Sequence, residues 1–184
     1  QVASKAKVVP GTFYLDQATS RLYVGSNPSA GARASTLTRA IRLTSAAAGS
    51  TVRGIGVRLY SRSIWHIGSV TVEWPKTRFD NFAITDSASI GLGIVVPDVT
   101  LTRVSVVRSG LLGVHAATAD RLRIDRSRVD GNNVERFNDA PVSGGIKAGR
   151  TRLITVTSSS LSNNNGPGFW SDVSVYDTRV LGSN

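Results

Sequence analysis

The sequence predicts an all-β solenoid, a stack of similar coils, and three observations lead there. An eight-residue pattern recurs six times, turn formers follow the copies, and a short strand led by glycine stands between successive copies. The pattern is a small or apolar residue, any residue, an apolar residue, two of any kind, an apolar or Ser/Thr residue, any residue, and a final apolar residue. Its copies are STVRGIGV (50–57), TRFDNFAI (77–84), VTLTRVSV (99–106), LRIDRSRV (122–129), ITVTSSSL (154–161) and VSVYDTRV (173–180), with starts 27, 22, 23, 32 and 19 residues apart. A unit this short cannot bury its apolar side alone, so it must stack on its neighbours. Stacking equivalent strands gives parallel sheets, hence a parallel β-helix of about six coils spaced about 4.7–4.9 Å apart.

Ahead of the repeats, FYLDQATSRLYV (13–24) alternates in polarity on both sides of a polar turn and predicts a β-hairpin. ASTLTRAIRL (34–43) has helix propensity, yet its position favours a strand leading into the first coil. Residues 1–49 are therefore read as a hairpin with a lead-in or capping segment. Residues 50–184 are read as the β-helix, continuing or capped beyond 184. The sixth copy ends near Asn184 with no polar cap, and an uncapped coil exposes unpaired backbone. The expectation is a longer parent chain, end-to-end association, or another covering of the C-terminal coil.

Within the coils, Phe79, Leu101, Ile124, Val156 and Val175 are expected to form an inward ladder, with Ser127, Ser159 and Thr178 at the bend. The glycine-led strands are GSVTV (68–72), GIVV (93–96), GVHA (113–116), GIKA (145–148) and GFWS (168–171). Side chains alternate along a strand, so Ile94, Val114, Ile146 and Phe169 should point inward. Thr71, Val95, His115, Lys147 and Trp170 should then form an outward ladder.

The formal net charge of +10 is unevenly spread. Residues 1–68 carry nine basic groups against one acid, whereas 69–184 carry thirteen against eleven. The repeats are near neutral, and RLRIDRSR (121–128) interleaves Leu122 and Ile124 with charges as a half-buried strand does. A solvated face, with no nucleic-acid partner, is the expectation; Arg126 and Arg128 are read as structural charged ladders between coils. There is no cysteine, no run of about 20 apolar residues for membrane insertion, and no methionine even at Gln1, which fits a processed chain. A G-x-S-x-G elbow and a phosphate-binding glycine loop are both missing. Two isolated histidines argue against zinc, so no metal or cofactor is expected.

From STVRGIGV, the Asn-rich turns such as SNNNGPG, and GGIKAGRTRLITVTSSSLSNNNGPGFWSD, residues 50–184 resemble the right-handed parallel β-helix proteins of the pectate-lyase-like superfamily, specifically secreted bacterial members. The last stretch is similar to that family's Gly-Gly-x-Lys and Gly-x-Trp-x-Asp coils. The hairpin is similar to one ahead of the β-helix in several carbohydrate-active enzymes, or is a generic edge hairpin. The resemblance implies right-handed coiling, secretion, and polysaccharide or cell-surface glycan as partner. The family spans lyases, hydrolases, epimerases and adhesive proteins, so it leaves the reaction open.

One joint, DGNNVERFNDAPVSG (130–144), is longer than the others and must loop out beside the Lys147 strand. Trp170 as a stacking platform, with His115, Arg136 and Asn138 as polar contacts, has the composition of a sugar pocket. Glycoside hydrolysis needs two carboxyl groups about 5 to 9.5 Å apart. Glu135 with Asp172 is the first pairing and Asp139 the reserve, while Lys147 is the candidate base for a lyase. Against this stand plain readings: His115 as a hydrogen-bonded surface histidine, Lys147 as a solvated lysine, Trp170 as a covered aromatic and Asp172 as a turn cap. The rival function is a non-catalytic structural or adhesive solenoid. An open groove with cooperating carboxylates favours the enzyme, and carboxylates paired to arginines favour the rival.

Overall fold

The computed structural model describes residues 1–28, 37, 39–60 and 67–184. Within the lead-in stretch, Ala34, Ser35, Thr36 and Thr38 lie outside the described residues, as does His66. The chain divides into two compact units, Gln1–Ala34 and Ser35–Asn184. In the first, β1 (Phe13–Asp16) and β2 (Arg21–Val24) form the expected antiparallel hairpin. Asp16 Oδ1 closes its turn by accepting the Ala18 amide at 3.0 Å.

The second unit is a parallel β-solenoid of about five turns. Sheet 1 stacks six strands in the order β15 (Phe169–Ser171), β13 (Gly144–Gly149), β10 (Leu112–Ala117), β8 (Ile90–Ile94), β6 (Val70–Val72) and β3 (Ile41–Leu43). The lead-in stretch thus ends in a strand, β3, on the first rung. Sheet 2 runs β16 (Arg179–Leu181), β14 (Thr155–Thr157), β11 (Arg123–Asp125), β9 (Thr100–Val107), β7 (Arg78–Thr85) and β4 (Thr51–Arg53). Past its bend, β5 (Gly56–Arg58) pairs β7 and β12 (Arg128–Asp130) pairs β9.

The inward ladder runs Val52, Phe79, Leu101, Ile124 and Val156, with the last four essentially inaccessible to solvent. From sheet 1, Val72, Ile94, Ala116, Ala148 and Val114 enter the same core. Burying a residue such as Ile124 fully is worth about 1.5–3 kcal/mol, and that term, repeated on every rung, holds the coils together.

From β6 to β15, the glycine at or just before the start of each sheet 1 strand (Gly68, Gly91, Gly113, Gly145 and Gly168) is explained by close approach. A Cβ at Gly113 would lie 2.7 Å from the Gly145 carbonyl oxygen on the next rung and 2.6 Å from Val129 Cγ1. The corners of sheet 2 are columns of left-handed residues. One holds Gly54, Asn81, Arg103, Arg126, Ser158 and Gly182, and a second holds Gly49, Lys76, Asp98, Arg121, Leu153 and Asp177. Arginine and leucine are not turn formers, and their adoption of positive φ is imposed by the stack.

Three registers differ from the sequence reading. In the sixth copy Val180, not Val175, stands against Val156; Val175 packs against the core as a partly buried neighbour. The bend column accordingly ends in Ser183, not Thr178. Val104 N donates to Ser127 Oγ, Ser127 N to Ser159 Oγ, and Ser159 N to Ser183 Oγ, each at 3.0 Å. Each hydroxyl thereby satisfies an amide of the preceding coil that the bend removes from the sheet ladder. Finally, Gly93, not Val95, faces Thr71 and His115, because Leu92 pairs with Val70 and Val114.

Candidate functional site

The outward column of sheet 1 is Arg42, Thr71, Gly93, His115, Lys147 and Trp170. The alternation of side chains therefore places His115, Lys147 and Trp170 in consecutive rungs, as the sequence reading expected. Their surroundings differ from an open ladder. Thr71 is 1% exposed, His115 4% and Lys147 7%, so this face is covered, while Trp170 is half-buried. Phe169 points the other way and packs, partly buried, against the core.

Lys147 is the hub of the site. Its Nζ lies 2.8 Å from Asp172 Oδ2, donates to the Pro141 carbonyl, and sits 4.2 Å from the centroid of the Trp170 ring. The Lys147 hydrogen bond holds the Asp172 carboxyl below the usual carboxylate range, although burial opposes it. Pro141 comes from the long joint, whose next residue, Val142, is buried beside Ile90 and Leu112. That joint is anchored by Asn132 and Asn133. Asn132 Oδ1 accepts the Ser109 amide while its Nδ2 donates to Val106 and to Asn164, and Asn133 brackets Phe137 with two hydrogen bonds.

The exposed part of the joint carries Glu135, Arg136, Asn138 and Asp139. The Glu135 amide donates to the Gly110 carbonyl, ahead of the first residue of β10, whereas Asp172 follows the last residue of β15. The length of β10, about 17 Å at about 3.3 Å per residue, separates these positions. Glu135 and Asp172 are therefore not brought into the range two cooperating carboxyl groups require. Asp139 is placed otherwise. With Pro167, Phe169, Trp170 and Ser171 it lines an open cleft of about 400 Å³, and its Oδ1 accepts a 3.4 Å hydrogen bond from Ser143. Trp170 thus has Asp139 on its cleft and the Lys147 ammonium, itself paired to Asp172, against its ring. Pro141 and Pro167 were missed by the sequence reading; the turn former G-P-G was the available signal for the second.

Elsewhere most carboxylates of the coils are bonded to arginines. Asp80 joins Arg53 and Arg103, Asp86 joins Arg58 and Arg108, and Asp98 joins Arg121, all across rungs. Glu73 joins Arg39 and Arg42. Arg126 and Arg128 bond to Asp125 and Asp130 of their own coil, not between coils as expected, because each carboxylate lies within two residues of its arginine. The strongest effect falls on Asp86, whose carboxyl is lowered to about 2, chiefly by the Arg108 hydrogen bonds. A trough of about 550 Å³ crosses the bend beside Arg103, Arg126 and Arg128, and all three of these arginines are engaged in such pairs. Among the described residues, no three His, Cys, Asp or Glu side chains are grouped to hold a metal.

No family model matches the chain, and no curated protein or solved structure is significantly similar to it.

Proposed function

We propose that the chain is a non-catalytic, secreted solenoid of the pectate-lyase-like kind that binds polysaccharide, with the cleft beside Trp170 as its glycan contact. The observation that carries this is the half-buried indole at an open cleft of about 400 Å³, its ring held by the Lys147 ammonium and its rim supplied with an Asp139 carboxylate. A flat aromatic surface for a sugar face with a fixed hydrogen-bond acceptor beside it is the composition a saccharide site needs. The Gly-Gly-x-Lys and Gly-x-Trp-x-Asp stretches supply its central trio of Lys147, Trp170 and Asp172.

Binding is favoured over turnover on chemical grounds. A glycosidase general acid keeps its proton near neutral pH because its pKa is raised. Here the candidate Asp172 is instead held below the usual carboxylate range by its Lys147 hydrogen bond. A lyase base must be free of its proton, whereas both Asp172 and the Pro141 carbonyl bind Lys147 through its ammonium hydrogens.

A glycan array on the wild type and the Trp170→Ala variant, followed by assays for reducing ends and unsaturated products, tests this. The expected result is glycan capture that falls at least about tenfold in W170A, with no product. Equal capture by both proteins would remove the cleft from the reading, and accumulating product would make the protein an enzyme. A second reading, association through the last rung, rests on the exposure of Val173, Val180 and Leu181 there. Sedimentation showing dimers that a Val180→Asp change dissolves would favour it.

A further inference from the structure

Once the sixth rung is set in its true register, one outward column of sheet 2 reads Thr51, Arg78, Thr100, Arg123, Thr155 and Arg179. Arginine and threonine alternate over all six rungs. Alternate rungs of a parallel sheet lie about 9–10 Å apart, so the column is a row of evenly spaced cations with a hydroxyl between each pair. All three arginines are exposed.

This column differs from the arginines that tie the coils of sheet 2 together. Arg53, Arg58, Arg103, Arg108, Arg121, Arg126 and Arg128 each bond to an aspartate. Arg78, Arg123 and Arg179 have no carboxylate at ion-pair distance among the described residues. The neighbouring columns offer Asp80, Asp98, Asp125 and Asp177; the first three are already taken by other arginines, and Asp177 makes no ion pair with Arg179. Like charges repeated in one column repel, so this arrangement gives the fold nothing that lysine-free threonine rungs would not. Around Arg78, Thr100 and Arg123, with Lys76, Arg121 and Asp98, the surface forms a shallow cleft of about 280 Å³.

We infer that this column is a docking track for a linear anionic glycan lying along the solenoid axis. Sulfate esters or carboxylates recurring along the polymer pair with the guanidinium forks, and the threonine hydroxyls meet sugar hydroxyls between them. The column carries no aromatic side chain between its arginines, and stacking platforms of that kind are what a single-stranded nucleic acid requires. The inference deepens the polysaccharide reading by naming an acidic polymer, but uses a different sheet from Trp170, so either can fail alone.

The test is binding by the intact chain of dextran sulfate, polygalacturonate, neutral dextran and single-stranded DNA at several salt concentrations. The proteins are the wild type, R78Q/R123Q/R179Q, and K5Q/K7Q/R21Q, which removes the same charge from the hairpin unit. The expected result is salt-sensitive binding of at least one anionic glycan, weakened about tenfold or more by the sheet 2 triple change. The hairpin variant retains it, neutral dextran does not bind, and the sulfate and carboxylate arms identify the anion. Equal loss in the two triple variants would reduce the effect to net charge and overturn the track. Unaltered binding in R78Q/R123Q/R179Q, no binding of either anionic glycan, or tighter binding of DNA would overturn it as well. The three arginines are exposed and unpaired, so an unchanged melting temperature checks that the variant is folded.

Discussion

The outward faces of the two parallel sheets are built in opposite ways. On sheet 1 the column through Thr71, His115 and Lys147 is covered, and its one ammonium is neutralised in place by Asp172 and capped by Pro141. On sheet 2 the outward columns are open, and most of their charges are paired from one rung to the next. A buried charge has to be satisfied where it stands, because leaving it unpaired out of water costs several kcal/mol. An exposed column is under no such constraint, which is why the Arg78, Arg123 and Arg179 row can persist without partners.

The contrast is sharpened most by Asn132, at the corner where the two sheets meet. Asn132→Ala strands the Ser109 amide and the Val106 carbonyl, and is expected to cost about 3 kcal/mol, read as a fall in the denaturant midpoint at constant slope. Next comes Lys147→Ala, which leaves the Asp172 carboxylate and the Pro141 carbonyl without their donor. A loss of about 2 kcal/mol is expected, while Arg123→Gln on the open sheet should stay within about 0.5 kcal/mol of wild type. Equal losses would mean that the two faces are not different in kind.

Acid should act on the paired columns of sheet 2. The Asp86 carboxyl is depressed to about 2 from its ordinary 3.8. Its contribution is therefore fully present above pH 4 and is lost as pH falls toward 2. Urea unfolding between pH 5 and 2 is expected to show a loss of order 1 kcal/mol in the wild type that Asp86→Asn does not share. A variant with the same acid slope would assign that slope to other groups. The smallest effect is a gain. Leu153 holds φ +59° in a corner column, and Leu153→Asn, which tolerates that conformation, is expected to add about 0.5 kcal/mol, seen as a slightly raised melting temperature.

Much of this was legible in the sequence, and the misses have physical causes. Five copies of the repeat were in register because Val52, Phe79, Leu101, Ile124 and Val156 are the apolar residues at the one position every rung turns inward. The sixth was not, because VSV satisfies the same apolar pattern as the true rung TRV. The bend hydroxyl decides between them, and Ser183 takes that place. The shift concealed Arg179 and with it the alternation of arginine and threonine. Side-chain parity foretold that Lys147 and Trp170 would be neighbours. The burial of Lys147 was not readable, since it depends on the path of residues 130–144 and on where Pro141 comes to rest. Left-handed corners at Arg103, Arg126 and Leu153 were equally hidden, because the stack overrides local preference there.

Rung-to-rung pairing divides the arginines of sheet 2 into those that hold the coils and those proposed to hold a ligand. Melting temperature and dextran sulfate affinity, measured side by side for Arg108→Gln and Arg123→Gln, test it directly. Arg108→Gln is expected to lower the melting temperature by about 2–4 °C with affinity within about twofold of wild type. Arg123→Gln should leave the melting temperature in place and weaken binding by about threefold. Two variants that change both quantities alike would contradict the division.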